Sequence, residues 1–403
     1  MLYYLWKLKE LGGVWGLANV FKYISFRAAC AAMSAFLLTI ILAPRFINYL
    51  KSRQIKEDST KSDSPELNER HSSKKDTPTM GGLILLFATL ISCLLFARLD
   101  VLFVLLALVV LLLYGAVGFY DDYVKLRTTK KGITSKTKLV LQIIVAFVIV
   151  SILQIRFSEP NAVIVPQPKS QHNATAHEPS SSTDEISAIV EAQDTRNVPG
   201  TSFFFPFLKG VYIPLGCFFI LFGVLVIIGS SNAVNLTDGL DGLAAGCSIF
   251  VFGTFAALSY IVGRSDFSHY LGIPYVPSAG ELSVVCAAMT GATAGFLWFN
   301  CYPAAVFMGD TGSLSLGGVL GVVAVSIRQE ALLLIAGGIF VFEALSVILQ
   351  VASFKLTGKR IFRIAPFHHH LEFGGQHENR VTIRLWIVAA FLALLTLSTL
   401  KMR

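Results

Sequence analysis

The sequence predicts an all-α polytopic membrane protein with about ten transmembrane helices. Three observations carry that expectation. The 403 residues are 54% hydrophobic and only 14% charged. Mean hydropathy is +0.66, more apolar surface than a water-soluble domain of this size can bury. The apolar residues gather into runs of roughly 20, the length that carries a helix across the hydrocarbon core, and the cations collect in the gaps between runs.

The formal charge is +8, which fits basic loops held on the cytoplasmic side. No soluble basic domain exists to bind nucleic acid, so nucleic acid is not expected as a partner. The six cysteines are Cys30, Cys93, Cys217, Cys247, Cys286 and Cys301. They form no CxxC pair and mostly lie in apolar runs. They read as small core residues, not as a disulfide framework or a zinc site.

In chain order, residues 1–24 mix aromatics, Lys and Gly and read as an interfacial amphipathic segment. Lys7, Lys9 and Glu10 interrupt the apolar residues there, unlike a cleaved signal. Spans are expected at 25–45, 80–97, 100–119, 139–156, 210–229, 240–262, 282–299, 314–328, 332–354 and 382–400. The eighth is short and Gly-rich. Glu343, in the ninth, is the main expected buried charge, facing other helices or a polar cavity. No internal repeat is visible, and residues 1–403 read as one integral membrane catalytic domain.

If loop 46–79 is cytoplasmic, alternation puts 120–138, 230–239, 300–313 and 355–381 on the same side. These loops carry most of the cations, so the positive-inside rule fixes the orientation and both termini lie outside. The opposite side receives the periplasmic loop 157–209, which is rich in Ser, Thr, Pro and Ala. Its flanks, Val163 to Val165 and Phe203 to Phe205, are expected to pair as a small hairpin at the membrane face.

Four polar stretches share the cytoplasmic side. In the first, Asp121 and Asp122 end an apolar run and are followed by Lys125, Arg127, Lys130, Lys131, Lys136 and Lys138. Adjacent acids beside dense cations suit a divalent metal and phosphate oxygens; a charged helix end that stops a span from sliding is the plain alternative. Neighbouring helix positions differ by about 100°. One acid can therefore bind an ion while the other holds a Lys or a substrate hydroxyl. The second stretch, Asn232–Gly242, packs Asn235, Asp238, Gly239 and Asp241 into a tight polar loop.

The third stretch, Asn300–Ser313, contains Phe307 and ends in Gly309-Asp310-Thr311-Gly312-Ser313. It opens a helix whose free N–H groups can meet an anion, though a plain cap from Asp310 or Ser313 would look similar. The fourth, Arg360–Glu372, holds His368, His369 and His370. Consecutive side chains diverge, which suits imidazoles against phosphates better than a three-His metal site. Upstream, Lys74 to Gly82, with Thr79, makes a turn into the second span.

Together these stretches resemble the phospho-N-acetylmuramoyl-pentapeptide transferases, within the polyprenyl-phosphate N-acetylhexosamine-1-phosphate transferase superfamily. Five motifs match in order over residues 74–372, and Pro366 to Glu372 is the part characteristic of this branch. The resemblance implies ten transmembrane helices, periplasmic termini and a cytoplasmic cleft in the bacterial inner membrane. It implies transfer from UDP-MurNAc-pentapeptide to undecaprenyl phosphate, giving lipid I and UMP, with Mg²⁺. It implies a metal-binding Asp at Asp310, and catalytic residues at Asp121, Asp122, Lys138 and His368. It further implies substrate binding by Asn235, Asp238 and Asn300, a nucleoside pocket at Gly239, Asp241 and Phe307 with Lys74 and Thr79 nearby, and phosphate contacts from His369 and His370. A homodimer in the bilayer is a further expectation.

Two departures from the family pattern stand out. Asp76 replaces the usual Gly before Thr77, and loop 157–209 is longer than typical. One rival reading changes the sugar to UDP-GlcNAc; the triple His argues against it. Another is an ion-coupled transporter, for which Glu343 would be the evidence. Acids clustered at loop ends on one face, with no repeat, argue against that.

Overall fold

A computed structural model describes residues 2–11, 13–53, 77–127, 132–160, 162–166, 195–196, 198–208 and 211–401. Lys74 and Asp76 lie outside the described residues, as do most of loop 46–79 and the middle of loop 157–209. The chain begins with two 3₁₀ segments, Leu2–Leu11 and Gly13–Lys22. The helices that follow are α1 (Ile24–Ser52), α2 (Gly82–Phe96), α3 (Leu102–Arg127) and α4 (Ser135–Phe157). After two short β-ribbons come α5 (Phe218–Thr237), α6 (Leu243–Val262), α7 (Ser265–Leu271) and α8 (Leu282–Asn300). The last five are α9 (Gly309–Ser326), α10 (Glu330–Ala336), α11 (Gly338–Thr357), α12 (Phe367–Phe373) and α13 (Glu378–Thr399).

Among the described residues, eight helices are long and apolar enough to cross a membrane: α1, α3, α4, α5, α6, α8, α11 and α13. The shorter α2 and α9 fill the remaining two expected positions. The protein is thus a multi-pass, all-α membrane protein.

The Gly-rich eighth span is the centre of the bundle. Every α9 residue from Thr311 to Ser326 is buried. It needs no lipid-facing apolar band, because its neighbours are protein. Its glycines bring other backbones onto it. A Cβ on Gly82 of α2 would stand 2.3 Å from the Gly312 nitrogen, and one on Gly118 of α3 would stand 2.2 Å from the Asp310 carbonyl oxygen.

Several expectations need correction. The fifth span starts at Phe218, not near 210, because Tyr212–Pro214 forms a strand and Pro214 cannot donate to a continuing ladder. The ninth is broken into α10 and α11 at the Gly337-Gly338 pair, where two residues without side chains weaken helix continuity. The flanks of the long loop do not pair with each other. Val165 pairs with Arg196 in a ribbon of β1 (Val165–Pro166) and β2 (Thr195–Arg196). Phe203 pairs with Ile213 in a ribbon of β3 (Ser202–Phe204) and β4 (Tyr212–Pro214). Phe203 finds a partner ten residues on, and the shorter closure costs less chain entropy.

Glu343 is buried, as expected, but it is not the main buried charge. Arg27 of α1 donates to both carboxylate oxygens of Glu281 at 2.7 Å and to the Phe96 carbonyl at 3.1 Å. Arg328 pairs with Glu330 at 2.9 Å, lies 4.6 Å over the Phe219 ring, and donates to the Ser202 carbonyl. That bond ties the second ribbon to the helical core. All six cysteines are free thiols.

Candidate active site

Four helix ends meet at one point. The last turns of α3 supply Asp121, Asp122 and Lys125. The first turn of α4 supplies Lys138, the last turn of α5 supplies Asn235, and the first turn of α9 supplies Asp310. The Asp310 Oδ2 accepts from Lys138 Nζ at 2.7 Å and from Lys125 Nζ at 2.8 Å. Its Oδ1 accepts from Asn235 Nδ2 at 2.6 Å, and the same amide nitrogen reaches Ser313 Oγ at 2.8 Å. Asp121 accepts the Ile133 backbone N–H through Oδ1 and holds Lys125 Nζ at 2.8 Å through Oδ2.

The two adjacent acids have separate partners, as their angular offset on a helix requires. Asp122, 3% exposed, faces the N-terminus of α9. Its Oδ1 accepts from the Asp310 N–H at 3.1 Å; its Oδ2 accepts from the Thr311 N–H at 3.0 Å and the Thr311 hydroxyl at 2.7 Å. These bonds correct the expectation of free N–H groups at this helix start. Two of them already serve an internal carboxylate, which also complements the helix dipole. Gly309, at φ +73°, makes this possible: a Cβ there would stand 2.7 Å from Asp122 Oδ2 and 3.2 Å from Thr79 Oγ1.

The other expected residues fall into three groups around this cluster. Thr79 and Phe307 lie on two segments joined by backbone bonds, with the Phe307 N–H donating to Pro78 and the Gly81 N–H to Phe307. Asn300 and Asp241 brace the loop after α5. Asn300 Oδ1 accepts the Gly242 N–H, Asp241 Oδ2 accepts the Ala304 N–H, and Glu378 accepts the Asp241 N–H. Asp238 caps the end of α5, half-buried, beside the exposed Gly239.

The third group is the triple His on α12. His368 and His369 are buried beside Gly239, so the loop 235–239 joins the carboxylate cluster to the imidazoles. His370 does not share this arrangement. Its Nδ1 accepts the Arg363 N–H at 3.2 Å, and its ring stacks on Phe367. The Arg363 guanidinium donates to the Phe373 carbonyl.

Sequence reasoning named three participants without giving them a role at the site. Lys125 bridges Asp121 and Asp310 and stands four residues after Asp121, a spacing that puts both on one helix face. The roles of Thr311 and Glu343 become visible only through partners far away in sequence.

Oxygens of Asp121, Asp122 and Asp310 lie within 4.8 Å of one another and could hold a metal ion. The donor set is all carboxylate, which suits a hard divalent cation. The Lys125 ammonium sits 2.8 Å from both Asp121 Oδ2 and Asp310 Oδ2, so a cationic group already bridges these two carboxylates. Three carboxylates face two ammonium groups, leaving net negative charge to bind one.

Comparison with known proteins identifies the family. The family model for glycosyl transferase family 4 matches residues 103–328. The phospho-N-acetylmuramoyl-pentapeptide-transferase signature 1 matches residues 74–86. Proteins named phospho-N-acetylmuramoyl-pentapeptide-transferase from Methylacidiphilum infernorum, Geobacter sp. and Leptospira biflexa are 47%, 44% and 43% identical to it. The first two matches cover 100% of both chains and the third covers 99% of each. With identities of 43–47% over essentially the full length of each chain and the signature matched, the chain belongs to the phospho-N-acetylmuramoyl-pentapeptide-transferase family.

Proposed function

We propose that the protein transfers phospho-MurNAc-pentapeptide from UDP-MurNAc-pentapeptide to undecaprenyl phosphate, releasing UMP and forming lipid I. The carrying observation is the Asp121–Lys125–Asp310–Lys138 cluster at the ends of membrane helices. Both reactants are anions and repel each other. Lys138 and Lys125 supply positive charge where the two phosphates must meet. Neighbouring apolar helix walls keep the polyprenyl tail in lipid, so only its head reaches the polar cluster.

Asp310 and Asp121 would hold Mg²⁺, which when bound supplies Lewis-acid stabilisation of charge on the departing phosphate. Asp121 positions the lipid phosphate for direct attack. Asp122 acts on Asp310 by fixing the start of α9. Asn235 orients the Asp310 carboxylate, and the loop from Asp238 to Asp241 with Phe307 takes the nucleoside. The site faces the cytoplasm of a bacterial inner membrane, where a nucleotide sugar is available.

The test is UMP release by the purified protein from UDP-MurNAc-pentapeptide, with undecaprenyl phosphate in detergent or nanodiscs. Release that requires the lipid acceptor and Mg²⁺ is expected. Release from UDP-GlcNAc in preference would overturn the substrate assignment. Labelled phospho-enzyme accumulating without acceptor would replace direct attack by a two-step path.

A further inference from the structure

We propose that Glu343 and Glu372 are positioning residues that turn the Nε2 atoms of His368 and His369 together onto Gly239. The inference rests on the transferase reading above and extends it to residues outside the carboxylate cluster.

Glu343 is 1% exposed, in the second turn of a membrane helix. A carboxylate so placed is costly unless it has partners. Its partner is His368, which is wholly buried. The His368 backbone N–H donates to Glu343 Oε1 at 3.2 Å and Oε2 at 3.3 Å, and the ring Nδ1 lies 3.1 Å from Oε2. That ring contact has the length of an ion pair but not the angle of a hydrogen bond. Catalytic contacts of this kind commonly tighten only when substrate binds.

The next histidine repeats the arrangement. His369 Nδ1 lies 3.2 Å from Glu372 Oε2, one turn along α12. The two rings sit 4.2 Å apart between centroids. With each Nδ1 turned to a carboxylate, each Nε2 must point the other way. Both point to one place: a Cβ on Gly239 would stand 2.4 Å from His368 Nε2 and 3.3 Å from His369 Nε2. Gly239 is exposed, so the rings lie just beneath the surface of the loop after α5.

Among the described residues, His368 Nε2 is buried without a hydrogen-bond partner. Leaving a polar nitrogen so placed is costly. A ligand O–H donating to it at Gly239 would satisfy it after a small loop movement. A carboxylate on Nδ1 fixes the tautomer of an imidazole and makes its other nitrogen more basic. His368 would therefore present a bare imidazole nitrogen, with the His369 ring beside it, that accepts a hydrogen bond from a hydroxyl of the nucleotide sugar.

Nitrogen-15 NMR of histidine-labelled protein tests this, with His368→Asn and His369→Asn spectra for assignment. Both rings are expected as the Nδ1–H tautomer in the unmodified protein; the Nε2–H tautomer at both would overturn the proposal. In steady-state UMP release, Glu343→Leu is expected to lower kcat roughly 10–100-fold with KM little changed. The isosteric Glu343→Gln keeps the shape but can turn an amide N–H to Nδ1, which favours the Nε2–H tautomer, so it should change the His368 tautomer and lower kcat while the fold survives. Full kcat in Glu343→Leu would overturn the proposal, and so would a folded Glu343→Gln with unchanged tautomer and full kcat. If the unmodified protein released no UMP, the transferase reading would fail, while the tautomer result would still judge the positioning.

Discussion

At the scale of single residues, adjacent acids have divided labour. Asp310 takes three side-chain donors and stands at the centre. Asp310→Asn should lower kcat by about 100-fold or more, and near-normal turnover at saturating Mg²⁺ would contradict its metal role. Asp122 is spent on the backbone of α9. Asp122→Ala should cost about 1–2 kcal/mol of stability through the lost cap, seen as a lower thermal midpoint, together with lost turnover as Asp310 drifts. Gly239→Ala should impair turnover without a comparable loss of stability, because its methyl would enter the space of His368 Nε2 on an exposed loop. The presence of Asp310 in a polar helix start was legible in sequence. That Asp122 caps that start was not, since its partner lies 188 residues away.

Whole elements show the same limit. Long apolar runs such as Leu102–Arg127 identified themselves, because lipid demands length and hydropathy. α9 was legible as a short, Gly-rich span at 314–328, but its enclosed place was not, because a helix surrounded by protein is shaped by close approach and not by lipid. Gly118→Val should therefore push α3 off α9 and destabilise the protein by about 1–3 kcal/mol, measured by thermal unfolding in detergent. The buried Arg27–Glu281 pair joins α1 to the start of α8. Glu281→Ala should cost about 3–5 kcal/mol by stranding Arg27, and Arg27→Met with Glu281→Leu should recover most of it. The ribbons went wrong in sequence because short strands in a long loop have several possible partners and weak patterns.

Across the whole molecule, distant stretches converge as the charge pattern required. Residues from the ends of α3, α4, α5 and α9 touch directly, and α12 meets the same loop. Convergence was legible because four polar loops alternated onto one side. Orientation makes a separate prediction. Cys301 follows α8 beside the site, and Cys217 precedes α5 at the end away from Asn235; both are exposed. An impermeant maleimide should reach Cys301 only in inverted membrane vesicles, and Cys217 from the opposite side. Labelling of Cys301 in intact spheroplasts would reverse the assigned face.

Lys125 gives the cluster a resting counter-charge. An empty carboxylate pair would capture whatever cation drifted by; this one is plugged by a tethered ammonium. A mineral ion held by Asp121 and Asp310 would have to take the place of this ammonium. Shortening the tether or removing its charge should make the pocket greedier: Lys125→Met should retain Mn²⁺, followed by electron paramagnetic resonance, at lower free concentration than the unmodified protein does. A more retentive pocket would be a poorer one for turnover, because the same lysine is needed when phosphates arrive.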